Sequence, residues 1–184
     1  TLVPPPPTTG SQPLVLVVED NVDMNRFIAD TLRAHYRVAC AFNGQQGLEQ
    51  ALAIVPDLII SDVMMPVMNG DQMVSELRQW PKLADVPIVM LTSKTDDDLC
   101  VKLLKMGIQH YLNKPFTVDG LLARVEKLLT ERQRIREQLR ESEARFQATF
   151  EQAAVGIAIV SPEGRWLRVN HKLCEIIGYS HEDL

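Results

Sequence analysis

Residues 57–70 read DLIISDVMMPVMNG, and this stretch indicates the fold more clearly than any other part of the chain. Leu58-Ile59-Ile60 is a short continuous apolar run, which is typical of a strand covered on both faces. Asp62 follows at the carboxyl end of that run. Apolar residues at helical spacing over 73–77 then mark a helix that ends before Pro81. The stretch therefore predicts a strand, a loop that begins with an acidic residue, and a helix.

The same alternation of strand and helix signals occurs five times in about 115 residues. Asn43-Gly44 is interpreted as a turn after the second strand. Alternation of this kind predicts an α/β fold, a doubly wound parallel sheet with helices on both faces. The predicted strands are 14–18, 37–42, 58–60, 87–91 and 108–112, and the predicted helices are 24–32, 48–55, 73–77, 96–107 and a longer one from Val118.

Acidic, hydroxyl and basic side chains stand where the predicted strands end, namely Glu19, Asp20, Asp62, Thr92 and Lys114. Singly, an aspartate after a strand is usually a turn or helix-cap residue, a threonine there is usually a strand end, and a lysine before proline is usually a solvated surface group. In parallel sheets, however, the working site lies outside the carboxyl ends of the strands, so we expect them to converge. Two carboxylates about 4 Å apart repel by about 4 kcal/mol at an effective dielectric near 20. The crowding therefore predicts a hard divalent cation, Mg2+ or Mn2+, among the carboxylates.

The separated motifs together resemble a known signalling family. Residues 14–130 are similar to the receiver domain of two-component response regulators. The resemblance implies a flavodoxin-like sheet of five parallel strands in the order 2-1-3-4-5. The motifs that carry it are VLVVED at 15–20, DLIISDVMMPVMNG at 57–70, VPIVMLTSK at 86–94 and YLNKPF at 111–116.

The resemblance also implies a role for each acidic residue. Asp62 matches the phospho-acceptor of the family. Glu19 and Asp20 match the acidic pair that holds Mg2+ together with Asp62, with Glu19 acting through water. The backbone carbonyl of Met64 would supply a further ligand.

Three further positions match residues that sense the phosphoryl group. Thr92 resembles the hydroxyl that binds a phosphoryl oxygen, and Lys114 resembles the lysine that pairs with it. The bond to Pro115 is predicted to be cis, which would aim Lys114 inward. Tyr111 resembles the switch aromatic, although a half-buried strand residue is the alternative. The predicted switching face comprises the helix over 96–107, the strand over 108–112 and the helix from Val118.

The implied function is acceptance of a phosphoryl group from a phosphohistidine on a histidine kinase or a histidine phosphotransfer protein. Such a receiver is not classed as an enzyme, because it catalyses only its own phosphorylation and dephosphorylation. Two alternatives stay open. One is an interaction module that is never phosphorylated. The other is a Mg2+-dependent phosphohydrolase, which would want a second aspartate at the position of Met64.

The composition limits the classes of binding partner and the cellular compartment that we expect. The 184 residues include 19 Lys+Arg against 24 Asp+Glu, a net charge of −5, which argues against a nucleic-acid-binding face. No apolar run approaches the roughly 20 residues that span a bilayer, so no direct membrane contact is expected. Cys40, Cys100 and Cys174 are widely spaced, which favours core residues in a reducing cytoplasm over a disulfide framework or a zinc site.

The segments on either side of the predicted receiver differ from it in composition. Residues 1–13 are rich in proline and predict a linker. The helix from Val118 continues as a predicted coiled-coil linker over 131–147. Its apolar residues, with Arg132 and Ser142 filling two gaps, follow strict four-three spacing over 121–146. This spacing favours a parallel homodimeric coiled coil, and a single amphipathic surface helix is the alternative.

Residues 148–184 resemble the opening of a PAS sensor domain, a partial α+β segment that ends before the rest of its sheet. Apolar runs at 157–160 and 166–169 flank Pro162-Glu163-Gly164 and predict a β-hairpin. Asn170 is a predicted cap for the helix that follows. The order of segments favours a piece of a hybrid sensor histidine kinase or of another multidomain regulator.

Overall fold

The computed structural model describes residues 12–93, 108 and 110–179 of the chain. The helix predicted over 96–107, Cys100 and most of the linker predicted over 1–13 lie outside the described residues. The chain divides into two compact units, one ending at Arg132 and one beginning at Gln133. Among the described helices, none combines the length and the apolar character needed to cross a bilayer.

The first unit is built on a parallel sheet of five strands in the order β2-β1-β3-β4-β5, as predicted. Parallel neighbours bring the carboxyl ends of the strands to one edge. The last strand lies two residues later than predicted, because its pairing with β4 continues to Lys114 opposite Ser93. The strands are β1 Leu14–Val18, β2 Arg37–Ala41, β3 Leu58–Asp62, β4 Ile88–Ser93 and β5 His110–Lys114.

The first three helices of this unit begin at asparagine caps, Asn21, Asn43 and Asn69. The side-chain oxygens of Asn21 and Asn43 accept the backbone N–H groups of Met24 and Gln46, which satisfies exposed donors at the helix ends. The interpretation of Asn43-Gly44 as a separate turn was therefore wrong. The helices are α1 Val22–Arg33, α2 Gly44–Ile54, α3 Gly70–Leu77 and α4 Val118–Glu151, the last of which continues into the second unit.

Two apolar clusters lie on the two faces of the sheet. Successive side chains of a strand point to opposite faces, so Val15 and Val17 join one cluster and Leu16 and Val18 join the other. Residues of α1 and α4 cover the first face, and residues of α2 and α3 cover the second. Both faces are buried, which explains why the strands read as continuous apolar runs.

The predicted coiled-coil seam is wrong in its first half. Leu121, Val125 and Leu128 are buried in the core against the sheet and present no free apolar stripe. Arg132, which fills a gap in the seam, donates through Nη1 to the carbonyl oxygens of Pro56 and Asp57. A helix that packs on a sheet and a helix that packs on a partner have nearly the same apolar period, so spacing alone did not separate them.

The second unit contains the predicted hairpin. Strands β6 Ala158–Val160 and β7 Trp166–Val169 pair in antiparallel fashion and lead into helix α5 His171–Ile177. Asn170 caps that helix, since its side-chain oxygen accepts the N–H of Leu173 at 3.0 Å. The buried amide of Asn170 also donates to the carbonyl oxygens of Phe150 and Val155.

Candidate functional site

Three carboxylates meet at the carboxyl edge of the sheet. Val18 of β1 pairs with Ser61 of β3, so Glu19 and Asp62 follow side by side at the ends of neighbouring strands. Glu19, Asp20 and Asp62 each offer one oxygen, and these oxygens all lie within 4.8 Å of one another. Glu19 is buried, Asp62 is partly buried and Asp20 is exposed. The predicted convergence of these three residues is thus present in the structure.

Lys114 bridges two of the three carboxylates. Its ammonium Nζ lies 2.7 Å from Glu19 Oε2 and 2.7 Å from Asp62 Oδ2. The Lys114–Pro115 peptide bond is cis, as predicted. The ammonium partly balances the negative charge that the acidic residues bring together.

The pKa values of the buried pair reflect this crowding. Burial raises the pKa of Glu19 above its usual range, and the neighbouring Asp62 charge raises it further, against the opposing effect of the bond from Lys114. Burial alone would lower the pKa of Lys114. Its hydrogen bonds to Asp62 and Glu19 outweigh that effect, so the pKa of Lys114 is raised and the side chain stays charged.

Backbone and side-chain hydrogen bonds hold the strand ends in place. The buried Asn25 side chain donates to the carbonyl oxygens of Glu19 at 3.0 Å and Ala41 at 2.8 Å, which ties the end of β1 to the end of β2. The N–H of Val63 donates to Asp62 Oδ1 at 2.7 Å and orients that carboxylate. The sequence analysis did not identify Asn25. The one indication in the sequence was a polar amide at a helical position expected to be buried, a few residues after Glu19 and Asp20.

Gly70, at the start of α3, permits a close approach to the backbone of Asp62. A Cβ at this position would lie 2.1 Å from the carbonyl oxygen of Asp62, a distance that atoms cannot adopt. The N–H of Gly70 also donates to the carbonyl oxygen of Val63 at 2.8 Å. A glycine is therefore required where the loop after Asp62 returns to the sheet.

Thr92 is buried within β4, and its hydroxyl donates to Asn113 Oδ1 at 2.8 Å. The two residues are direct cross-strand partners in the parallel pairing of β4 and β5. Sequence reasoning gave Asn113 no role, although its place next to Lys114 at the end of the fifth strand was a signal. The structure thus adds an amide that holds the Thr92 hydroxyl.

Met64 and Tyr111 are the two remaining predicted site residues. Met64 lies in the loop after β3, and 69% of its surface is exposed. Tyr111 lies on β5 opposite Met90, and 38% of its surface is exposed. Its aromatic ring is therefore partly in contact with solvent in this conformation.

The donor chemistry of the cluster fits a magnesium ion. All three groups are carboxylates, and hard oxygen ligands favour Mg2+ or Mn2+ over metals that prefer nitrogen or sulfur. A cavity of about 350 Å³ opens beside the cluster. It is lined by Glu19, Asn21, Asp23, Met24, Phe27 and Lys114.

A five-stranded sheet with this strand order and an acidic cluster at its carboxyl edge defines a signalling receiver. The response regulator receiver domain family matches residues 15–126, and the chain belongs to that family. The PAS domain family matches residues 144–184.

Two histidine kinases are among the most similar relatives. Hybrid signal transduction histidine kinase D of Dictyostelium discoideum is 51% identical over 120 residues, which cover 65% of this chain and 8% of that protein. Sensor histidine kinase TmoS of Ectopseudomonas mendocina is 37% identical over 221 residues, which cover 98% of this chain and 23% of that protein. The chain therefore spans less than a quarter of either kinase.

Solved receiver structures have the same fold. The chemotaxis response regulator CheY4 of Vibrio cholerae superposes with a TM-score of 0.61 at 33% identity, covering 64% of this chain and 99% of that one. The receiver domain of a signal transduction histidine kinase from Syntrophus aciditrophicus gives a TM-score of 0.61 at 30% identity, covering 65% and 91%.

Proposed function

We propose that this chain contains a phospho-acceptor domain of a two-component phosphorelay, in which Asp62 takes a phosphoryl group from a phosphohistidine. The donor would be a histidine kinase or a histidine phosphotransfer protein. The observation that carries the proposal is the cluster of three carboxylates within 4.8 Å, with the ammonium of Lys114 bonded to Asp62. A net charge of −5 supports a protein partner over a nucleic acid.

The proposed transfer is a single exchange of bonds at phosphorus. A carboxylate oxygen of Asp62 forms the new P–O bond, the P–N bond to the donor imidazole breaks, and its electron pair returns to the ring nitrogen. The charge of the loose transition state lies on the equatorial phosphoryl oxygens, so catalysis depends on positioning and neutralisation. Lys114 would supply positive charge there, and the Thr92 hydroxyl would donate a hydrogen bond to a phosphoryl oxygen.

The metal is part of the proposal because the donor set fits it. Glu19, Asp20 and Asp62 would hold Mg2+, or Mn2+ in its place, together with the backbone carbonyl of Met64. When bound, the ion supplies positive charge beside the phosphoryl oxygens. Glu19 and Asp62 already share the Lys114 ammonium, so their negative charge is partly neutralised without the ion.

Switching would begin at Thr92. In the structure its hydroxyl is bonded to Asn113. A phosphoryl group on Asp62 adds strong acceptor oxygens and a charge of about −1.5 to −2, which would draw that hydroxyl away. Tyr111 would then turn inward, and the face that includes β5 and the start of α4 would change.

For the longer protein we propose a hybrid sensor histidine kinase or another multidomain regulator in the cytoplasm. The two kinase relatives, and the matches of a receiver family and a PAS family, support this proposal for the longer protein. The receiver itself would catalyse only its own phosphorylation and dephosphorylation. A homodimer would form through the exposed residues of α4 that follow Arg132.

The test is labelling with acetyl phosphate and Mg2+, followed by intact mass and peptide mapping. We expect one phosphoryl adduct on Asp62 and none in the Asp62→Asn variant, because an amide cannot form the acyl phosphate. Asp30→Asn, which changes an exposed aspartate of α1, should be labelled like the parent. Equal labelling of Asp62→Asn would contradict the site. Absence of any adduct would favour an interaction module, and multiple turnover of phosphate esters would favour a phosphohydrolase.

A further inference from the structure

Thr92 stands on a strand that has the proposed acceptor aspartate on one side and an asparagine on the other. In the sheet, β4 lies between β3 and β5. On the β3 side, Asp62 pairs with Leu91, the residue directly before Thr92. On the β5 side, Thr92 itself pairs with Asn113. The register of the three strands therefore places Thr92 between Asp62 and Asn113.

The structure shows which of these two neighbours accepts the proton of the Thr92 hydroxyl. Thr92 Oγ1 donates to Asn113 Oδ1 at 2.8 Å. A threonine hydroxyl has a single O–H donor, so it cannot serve a second acceptor fully at the same time. Thr92 is only 2% exposed, so the asparagine, and not bulk water, satisfies this buried donor.

A phosphoryl group on Asp62 has to compete with Asn113 for this proton. The proposed transfer uses the Thr92 hydroxyl as a donor to a phosphoryl oxygen, and the same donor is already engaged with the amide. A hydrogen bond to a charged oxygen is stronger than one to a neutral amide, so the exchange is favourable. The phosphorylated state nevertheless gains only the difference between the two bonds. The bond to Asn113 therefore subtracts from the stability of that state.

The fold itself does not require an amide at position 113. Asn113 is exposed, and β5, which carries it, is the last strand in the order of the sheet. Its backbone can pair with Thr92 whatever its side chain is. Side chains two residues apart lie on the same face of a strand, so Asn113 and Tyr111 share one face of β5. The bond thus joins Thr92 to the strand face that carries the proposed switch aromatic.

We propose that Asn113 is a positioning residue that withholds the Thr92 hydroxyl from a phosphoryl group on Asp62, and so limits how strongly phosphorylation drives the switch. This inference rests on the proposed function and deepens it, because it names what opposes the switch in the unphosphorylated chain. Without the acceptor of Asn113, the buried hydroxyl has no partner until a phosphoryl oxygen supplies one. Loss of the acceptor therefore destabilises the unphosphorylated state and favours the phosphorylated one.

The experiment measures the binding of beryllofluoride, which adds to a carboxylate oxygen as a phosphoryl mimic without transfer of a group. Beryllium chloride is titrated into the full chain with excess fluoride and Mg2+, and bound fluoride is followed by 19F NMR. Asn113→Leu keeps nearly the shape of the side chain and removes its acceptor. We expect this variant to bind beryllofluoride about fivefold more tightly than the parent, which is the factor for release of one neutral hydrogen bond. Gln79→Leu, which changes an exposed amide after α3, should bind like the parent.

A double-mutant cycle with Thr92→Val separates this role from a purely structural one. Thr92→Val removes the donor, so Asn113→Leu should leave the affinity for beryllofluoride unchanged in that background. With Thr92 intact and no beryllofluoride, Asn113→Leu should lower the midpoint of thermal unfolding by about 2–4 °C, because a buried donor loses its partner. The variant is thus expected to be less stable and yet to bind the mimic more tightly. A purely structural role predicts lower stability with equal or weaker binding.

Unchanged or weaker binding of beryllofluoride by Asn113→Leu overturns the inference while the proposed function stands. A gain of the same size in the Thr92→Val background also overturns it, since Asn113 would then act on Asp62 without the hydroxyl. A parent that does not bind beryllofluoride, or an Asp62→Asn variant that binds it equally well, refutes the proposed function, and the inference falls with it.

Discussion

At the scale of single residues, Lys114 has two opposing effects on the site. Its ammonium neutralises Glu19 and Asp62, yet it occupies one oxygen of each at 2.7 Å. A divalent cation that enters the cluster meets a like charge a few ångströms away, which weakens its binding. The same ammonium would stabilise a phosphoryl group on Asp62. Removal of its charge should therefore increase the affinity for Mg2+ and slow the phosphorylation of Asp62.

The Lys114→Met variant tests this separation. We expect Mg2+ to bind about threefold to tenfold more tightly, because the repulsion is gone. Labelling by acetyl phosphate should slow at least about a hundredfold, because charge on the transition state is no longer neutralised. Isothermal titration calorimetry and the labelling rate provide the two measurements. Lys82→Met, at an exposed position after α3, should change neither. Weaker Mg2+ binding in Lys114→Met would contradict the charge argument.

Glu19 leads to a prediction about pH. Burial raises its pKa above the ordinary value of 4.5, and protonation removes an anionic ligand from the cluster. Mg2+ affinity should therefore fall on acidification while the pH is still above 4.5, earlier than for an exposed carboxylate. Lys114 does not account for this loss, because its raised pKa keeps it charged throughout.

The measurement is Mg2+ affinity between about pH 4 and pH 8 for the parent and for Glu19→Gln. The variant should bind more weakly at neutral pH and lose less affinity on acidification. The stability of the metal-free chain depends on pH in the opposite direction to the Mg2+ affinity. The folded chain holds the Glu19 proton more tightly than the unfolded chain, so the stability due to this group is lost as pH rises through its raised pKa. An affinity that stays constant down to pH 4.5 contradicts the prediction.

The site residues differ in how far sequence could identify them. Their position at one edge was predictable from the alternation of elements, because all five lie at or just after the carboxyl end of a strand, namely Glu19, Asp20, Asp62, Thr92 and Lys114. Asn25 and Asn113 were not predictable as partners, because their hydrogen bonds join residues that are far apart in sequence or lie on facing strands. An asparagine carries no local sign of which carbonyl or hydroxyl it will meet.

At the scale of elements, Arg132 fixes the helix α4 to the sheet of the first unit. Its guanidinium is largely buried, and it donates to the carbonyl oxygens of Pro56 and Asp57. The Asp57 carboxylate in turn accepts the N–H of Leu14 at 3.0 Å. These contacts join α4 to the starts of β1 and β3, at the edge opposite Asp62.

The Arg132→Ala variant should lower the free energy of unfolding of the first unit by about 2 kcal/mol, because hydrogen bonds to a charged group are lost and buried carbonyls lose a donor. Urea unfolding, followed by circular dichroism, measures the change. Arg132→Lys should recover only part of the loss, since an ammonium lacks the planar fork of donors. Arg134→Ala, at an exposed position two residues on, is the control and should change stability little. Equal effects of Arg132→Ala and Arg134→Ala would contradict the anchoring role.

For α4, the sequence predicted the helix but not the surface against which its apolar face packs. Its apolar residues predicted a helix, and a helix over Val118–Glu151 is present. The same residues could face a sheet or a partner helix, because both surfaces require an apolar stripe of nearly equal period. Only the packing of Leu121, Val125 and Leu128 against the sheet identified their partner.

At the scale of the whole molecule, the chain comprises two compact units divided after Arg132. Beyond this point the helix leaves Ile135 and Leu139 exposed, at 65% and 66%. We expect these residues to pair with a second copy, because exposed aliphatic residues at this spacing gain stability from a facing helix.

Sedimentation velocity at increasing protein concentration tests this dimer. We expect the parent to associate and the Ile135→Asn/Leu139→Asn variant to stay monomeric, because polar residues in the seam remove the apolar gain. Val22→Asn, which replaces an apolar residue exposed at 56% at the start of α1, should associate like the parent. A parent that stays monomeric at high concentration would remove the dimer from the proposal.

The amino-acid sequence by itself determined the fold class, the strand order through a family resemblance, and the five residues that end the strands. These properties depend on local patterns, since apolar runs, helical spacing and the place of a polar residue after a strand are each visible within a few positions. Only the tertiary structure decided that Asn113 holds Thr92, that Arg132 anchors α4 and that Asn25 ties the end of β1 to the end of β2. Those properties depend on which distant backbone group lies opposite a side chain, and close packing of the whole chain is what sets that distance.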